Sequence, residues 1–296
     1  MRLLGTHITL LFIPVLLVLL FTDQASAQED REGGGMQKGW IVGLQTGVYF
    51  ANSHTANYYN GREGNVNEIS FILDNKYHRD DILNYYEAYD YVYDQSDLPR
   101  EMHYEAAMNI GFLARNNITK NWGVFLNFNF VRLRTKGSFI LEIDPDQIIS
   151  EPNEHIFPIY GEEERHNINI GIHRQFNLLS PSLTYYGELG VNFNNTIVEE
   201  SSIEIAGNNY SIIDRYGGGQ GYQPGVPQTE YDLRLGGVGL GFFGGMGFKF
   251  LFSDKLTLDV GLTSYVKYIN LEHYKSFNVH WAPYTRLMYN GFFDFL

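Results

Sequence analysis

The chain has 296 residues and no cysteine. A disulfide framework and a thiolate metal site are therefore both excluded. Positive charge is scarce as well: 21 Lys and Arg stand against 34 Asp and Glu, for a net charge of −13. Nucleic-acid binding calls for a basic stripe, so no nucleic-acid partner is expected. Long apolar runs are missing beyond the first residues. The one run, Leu10 to Phe21, contains Pro14 and falls short of the roughly 20 residues a helix needs to cross a bilayer. Arg2 precedes it and the small residues Ala25 and Ala27 follow, the layout of a secretory signal peptide over residues 1–27. Without it, no helical membrane span is left to propose.

What the chain does have is 22 Tyr, 21 Phe and 31 Gly. An exported, cysteine-free chain rich in aromatics and glycine suggests strands that are apolar on one face only, which never produce a hydropathy peak. Reading alternate residues tests this. Residues 39–50 place Trp40, Val42, Leu44 and Val48 on one face and Gly43, Gln45 and Gly47 on the other. Residues 102–114 set Met102, Tyr104, Met108, Ile110 and Phe112 against His103, Glu105 and Asn109. The same pattern recurs at 122–130, 166–176, 183–193, 238–250, 256–268 and 285–295, which makes eight strands. Around Val131 to Arg134 the alternation shifts.

The connections decide between a soluble sandwich and a barrel. Short links at 115–121, 177–182 and 252–255 alternate with long polar ones, as in an up-and-down barrel with tight inner turns and large outer loops. Most strands reach about ten residues, where those of sandwiches average five or six. Aromatics such as Trp40, Phe112, Trp122 and Tyr268 gather near strand ends, where membrane interfaces lie. The expected fold is all-β: an eight-stranded antiparallel up-and-down transmembrane β-barrel with long extracellular loops. Residues 28–38 form a periplasmic lead-in and 39–296 the barrel. The closing strand, with Tyr289, Phe293 and Phe295 alternating, must pair with the Trp40 strand so that no open edge faces lipid. A ten-stranded alternative recruits residues 66–73 and a hairpin turning near Gly207 to Asn209 into the wall.

Eight strands enclose a lumen just wide enough to be filled by side chains. Its inward set includes Glu105, Glu188, Lys249, Asp259, Lys267, Arg286 and Asp294, with His173 and several asparagines. Isolated charges there are very costly, so a mutually paired polar network is expected. Glycine-rich strings near Gly239 to Gly245 are followed by no helix, so a nucleotide loop is excluded. No cofactor and no metal ion are expected. Asp90, Asp94 and Asp97 lack the twelve-residue spacing of an EF-hand.

Specificity then belongs to the loops. The first, about Ser53 to Arg100, carries Tyr85, Tyr86, Tyr89, Tyr91 and Tyr93 interleaved with acids. Tyr89, Tyr91 and Tyr93 fit one strand face. Ile82, Tyr85 or Tyr86, Tyr89 and Tyr93 also fit a helical stripe after an acidic first turn at Asp80 and Asp81. Such tyrosines suit a partner-binding surface, since they bring large area at little entropy cost; packing against the loop's own neighbours is the other reading.

Eight strands, long outer loops and an aromatic closing strand make Gly39 to Phe295 resemble the small OmpW-like and PorT-like outer-membrane barrels of the porin family. The closing strand is similar to the signal read by the barrel-assembly machinery, although Leu296 follows Phe295. The resemblance implies an outer-membrane location, contact with outer-membrane lipid and lipopolysaccharide, and folding by that machinery. Members include structural plugs, solute conduits and accessory subunits of export or assembly complexes. The leading expectation is a non-enzymatic barrel whose loops or rim bind another envelope component, as an accessory subunit of a secretion or assembly complex would. The rivals are a lipid-modifying enzyme and a narrow conduit for small solutes. His166 and His173 lack a serine and an acid at triad spacing, which counts against the enzyme.

Overall fold

The structure is a computed structural model that describes residues 38–145, 153–180, 183–213, 236–253 and 255–290. The expected signal peptide, nearly all of the expected lead-in, and the closing residues with Phe293, Asp294 and Phe295 lie outside that set.

Among the described residues there are ten strands: β1 Gly39–Tyr49, β2 Tyr91–Val92, β3 Ala107–Asn117, β4 Trp122–Ile143, β5 Glu154–Ser180, β6 Leu183–Ile205, β7 Asn208–Ser211, β8 Gly236–Leu251, β9 Leu256–Tyr268 and β10 Phe277–Asn290. Eight of them pair in the order β4-β3-β1-β10-β9-β8-β6-β5, and β4 pairs with β5 to close the ring. Every pairing in the ring is antiparallel. Closure leaves no unpaired edge around the wall, the condition for crossing a bilayer with strands. This is an eight-stranded transmembrane β-barrel.

The polarity of the wall is reversed relative to a soluble protein. Leu44, Met108 and Val238 are 67, 63 and 69 % exposed on the outside, while Gln45, Asn127, Asn169 and Arg286 are buried inside. Lipid is the solvent that favours such an exterior. Above the apolar belt the chemistry inverts while the geometry continues. In β4, Leu126 and Phe128 face out, then Arg132 and Arg134 face out, and Val131 and Leu133 are fully buried. The shift of alternation near Val131 is thus the point at which the strand leaves the membrane.

Beyond that point β4, β5 and β6 run on together and half of the wall rises above the rest. The strands expected to stop after about ten residues reach 22, 27 and 23. Much of the second and third loops is therefore strand, held by a long β4–β5 ladder to Glu142↔Glu154. A β-bulge between Glu162 and Glu163 pairs them with Glu200 and Val198. The extra residue on β6 flips its parity, so that Val198 faces in below the bulge and Ile203 and Ile205 above it. A two-residue turn at Ala206 (φ 56°) and Gly207 (φ 78°) adds β7 to β6, a left-handed pair suited to a tight hairpin. β2 pairs with the far edge of β4. The resulting curved sheet, β2-β4-β5-β6-β7, is filled from its concave side by the first loop.

That loop holds a 3₁₀ turn at Ser53–Tyr59 and two helices, α1 at Ser70–Leu73 and α2 at Lys76–Tyr86. Ala56, Tyr58, Tyr59, Ile69, Ile72, Leu73 and Ile82 bury themselves against Phe139, Leu141, Ile159, Ile203 and Ile212. Together they form an outward cap with an apolar core.

Three further expectations are corrected. The second barrel strand begins at Ala107 rather than Met102, because Met102 is taken into the cap core and the chain makes only an isolated bridge at Tyr104. Glu105 is consequently exposed and outside the lumen. The last strand begins at Phe277, earlier than Thr285, and passes through Pro283. Proline cannot donate to a ladder, and the β1–β10 pairing lapses between Gly47↔Tyr284 and Phe50↔Trp281, where Pro283 sits. Finally, residues 66–73 and the third-loop hairpin belong to the cap and do not enlarge the ring.

Candidate functional site

Two places gather chemistry: the lumen and the cap. In the lumen, inward side chains of seven strands converge on Glu188 of β6. Its carboxylate accepts from Arg286 Nη1 at 2.7 and 2.9 Å, and His173 Nδ1 lies at 3.1 Å. Arg115 Nη1 is 3.3 Å from both nitrogens of His173 and 3.5 Å from Asp259 Oδ2. A neutral imidazole protonated on Nδ1 satisfies this arrangement, donating to Glu188 and accepting from Arg115 on Nε2. Arg286 Nε donates to Gln45 Oε1 at 2.7 Å, and Gln45 in turn joins Asn127 and Asn129. Lys249 donates to Gln175 at 2.8 Å and Lys267 to Asn167 at 2.5 Å, the latter between the rings of Tyr49 and Tyr265.

The structure places Glu188, Arg286, Asp259, Lys249 and Lys267 in the lumen. Charges are paired with opposite charges or amides, as burial in a low dielectric demands. Chemically this is a filling. His173, whose two nitrogens are both engaged, is fully buried against Tyr186, so no substrate reaches it as a base. His166, the other candidate, sits outside against Phe130, with Glu164 3.8 Å away.

The lumen is closed again where the strands leave the membrane. Glu163 and Arg165 on β5 pair at 2.5 Å and are fully buried. The first loop locks onto them: Tyr59 and Tyr104 donate their hydroxyls to Glu163 at 2.8 and 3.1 Å, and Arg165 Nη2 donates to Thr55 at 3.0 Å. Tyr59 lies on Gly161, where a Cβ would collide with its ring. Burial, with the Glu163 carboxylate beside them, holds both phenols well above the usual tyrosine range. The 3₁₀ turn is thus a stopper seated on a buried ion pair.

The five loop tyrosines separate into two groups. Tyr91 is buried, donates to Leu73 O at 2.6 Å and carries Arg79 over its ring at 4.3 Å. Tyr86 packs against Phe157 and His155, and Tyr93 against the same core. Burial raises Tyr91 and Tyr93 to about 12. These three are structural, so the partner surface expected of all five is reduced to two. Tyr85 and Tyr89 are 60 and 90 % exposed, and the spacing missed a third, Tyr77, at 80 %. Its signal was the i, i+4, i+8 spacing of Tyr77, Asp81 and Tyr85, one column of a helix.

The helix also starts earlier than expected. Asn75 caps it by accepting from Tyr77 N at 3.0 Å, which leaves Asp80 and Asp81 on its exposed middle. It ends at Glu87 in a left-handed conformation, with Ala88 N donating to Leu83 O at 3.0 Å. The next residues are stapled by Asp144, whose Oδ1 accepts from Tyr89 N and Asp90 N at 2.7 and 3.0 Å. Asp94 and Asp97 are spent on their own turn, accepting from Ser96 N and Asp94 N; the Ser96 bonds hold the Asp94 carboxyl below its usual range. Among the described residues, no cluster of three or more His, Asp or Glu is arranged to hold a metal ion.

No family model and no curated protein matches the chain. Solved structures of similar fold include Neisserial surface protein A, at 8 % identity and a TM-score of 0.41 over 85 % of this chain and 97 % of that one. OprG of Pseudomonas aeruginosa is 10 % identical with a TM-score of 0.38, covering 86 % and 95 %. The Escherichia coli outer membrane protein W is 11 % identical with a TM-score of 0.30, covering 88 % and 100 %. These likenesses are distant; the strand pairing carries the fold assignment here.

Proposed function

We propose that this outer-membrane barrel is a non-enzymatic scaffold that fixes a rigid, apolar-cored cap at the cell surface for binding another envelope component. The observation that carries the reading is the double closure: a lumen filled by paired charges, and above it a stopper locked by Tyr59 and Thr55 onto Glu163 and Arg165. A wall so filled favours neither solute conduction nor buried catalysis, and it leaves the cap as the part free to vary in function. Outer-membrane lipid meets the apolar belt. Lipopolysaccharide meets the row Arg132, Arg134 and Lys136 just beyond it, where Glu162 already neutralises the two arginines. The barrel-assembly machinery is the route of insertion, and the bound component makes the protein an accessory subunit of an envelope complex.

Two measurements test this. The purified barrel in planar bilayers is expected to show no steady conductance; open-channel currents would favour the conduit. Mild-detergent extraction from the native membrane is expected to return a stoichiometric partner, and a lone barrel would count against the scaffold.

A further inference from the structure

Resting on the scaffold reading, we infer that the exposed face of α2 and the turn after it is the docking surface, and that it takes a cationic polypeptide segment. Tyr77, Asp81 and Tyr85 form one column of the helix, flanked by Asp80 and Asn84 on the same exposed arc. Tyr89 stands beside the helix end. Large aromatic side chains are rarely left this open on a settled surface unless they meet something. These are open on a backbone that does not yield: Asn75 caps the helix start, the Leu83 carbonyl closes its end, and Asp144 pins Tyr89 and Asp90. Rigid aromatics presented this way lose little entropy on contact.

Charge selects the occupant. Between Asp74 and Asp97 there are seven acids and only two cations, Lys76 and Arg79. Arg79 is already spent, lying on Tyr91 and paired with Asp90. Asp80 and Asp81 have no ion-pair partner among the described residues. A lysine- or arginine-rich segment supplies the missing charge, and its cations find tyrosine faces next to carboxylates. An acidic polymer or an anionic lipid surface is repelled by the same face.

The test uses the full chain in zwitterionic detergent and a fluorescent 15-residue peptide alternating Lys with Gly and Ser, with a Glu-for-Lys peptide as control. The Lys peptide is expected to bind and the Glu peptide not to. Asp80→Asn with Asp81→Asn is expected to weaken binding by about threefold to tenfold, and Tyr77→Ser, Tyr85→Ser and Tyr89→Ser together by about tenfold or more. Glu200→Asn with Glu204→Asn, on the opposite face of the sheet, removes as much charge and is expected to change nothing. Each variant is checked for the fast-migrating folded band on unheated gels. Equal weakening by both charge-neutral pairs would mean bulk attraction and overturn the inference, as would equal binding of the Glu peptide. A native partner that co-purifies as well with the tyrosine variants would overturn this inference and leave the scaffold standing. Absence of any native partner would remove the scaffold itself.

Discussion

The membrane-spanning half and the cap share strands and have opposite interiors. Along β4 a single extended segment buries Asn127 and Asn129 in the lumen, then Val131 and Leu133 in an apolar cluster with Tyr49 and Ala107, and then Phe139 and Leu141 in the cap core. On its other face it offers Leu126 and Phe128 to lipid, then Arg132 and Arg134 to water. The β4–β5 ladder runs unbroken through both halves, while the pairing with β3 ends at Asn109↔Val131. The lumen is held by directional, charged contacts around a smaller apolar cluster of Leu113, Phe125, Phe243 and Met288, and the cap chiefly by non-directional burial of apolar area. The first arrangement tolerates little removal of a partner. The second loses stability in proportion to what is cut away.

The widest separation between the two should come from deleting one group in each. Glu188→Ala leaves Arg286 buried without its carboxylate and His173 without its acceptor, a lesion expected to cost about 3–5 kcal/mol. It should lower the urea midpoint of the whole barrel, followed by loss of the folded band on unheated gels. Leu73→Ala in the cap is expected to cost about 2–5 kcal/mol locally. Its signature is faster hydrogen exchange in α1, α2 and the tips of β4 and β5, with the barrel midpoint nearly unchanged. Should Leu73→Ala shift that midpoint as far as Glu188→Ala, the two regions are one cooperative unit and the contrast drawn above fails.

A second pair of variants sharpens the boundary. Leu126 and Arg134 face the same way on β4, and only the surroundings differ. Leu126→Arg places a charge against lipid and is expected to cost about 2–4 kcal/mol near the bilayer centre. Arg134→Leu loses one exposed contact to Glu162 and should cost under about 1 kcal/mol. Comparable losses from the two would place the boundary elsewhere than at Val131. Refolding into bilayers with a urea titration reads both.

The barrel was legible in the sequence because its signal is local: period two, one residue deciding the face of the next. Glu188, Lys249, Asp259, Lys267 and Arg286 fall inside for that reason alone. The cap was not legible, because its core has no period. Ala56, Ile69, Ile72, Leu98 and Met102 lie scattered in a polar loop and find partners in β4, β5 and β6 far along the chain. Glu105 was misplaced by the same cause, since Met102 obeys the cap and breaks the alternation that had been extended back from Met108. The break at Val131 was visible as a shift of pattern, yet a shift alone does not say whether a strand ends or its solvent changes. For the tyrosines, helix and strand readings overlap at Tyr89 and Tyr93, and only the Asn75 cap decides where the helix begins.

The smallest effect isolates the cap by pH. Tyr91 keeps its hydroxyl on Leu73 O, and burial raises its phenol to about 12; Tyr93 is raised to about 12 for the same reason. In the unfolded chain these groups ionise near the ordinary tyrosine value of about 10. Between pH 10 and 12 the unfolded cap therefore sheds protons that the folded cap retains, and its stability falls as pH rises. Cleavage of the first loop by an alkali-stable subtilisin should accelerate across it. Tyr91→Phe costs about 0.5–1.5 kcal/mol at neutral pH through the lost hydrogen bond, yet has no proton to lose. The gap between wild type and Tyr91→Phe should therefore narrow from pH 10 to 12. A constant gap would mean that Tyr91 ionises no later in the cap than in the unfolded chain, and that the cap does not shield it from water as the apolar core requires.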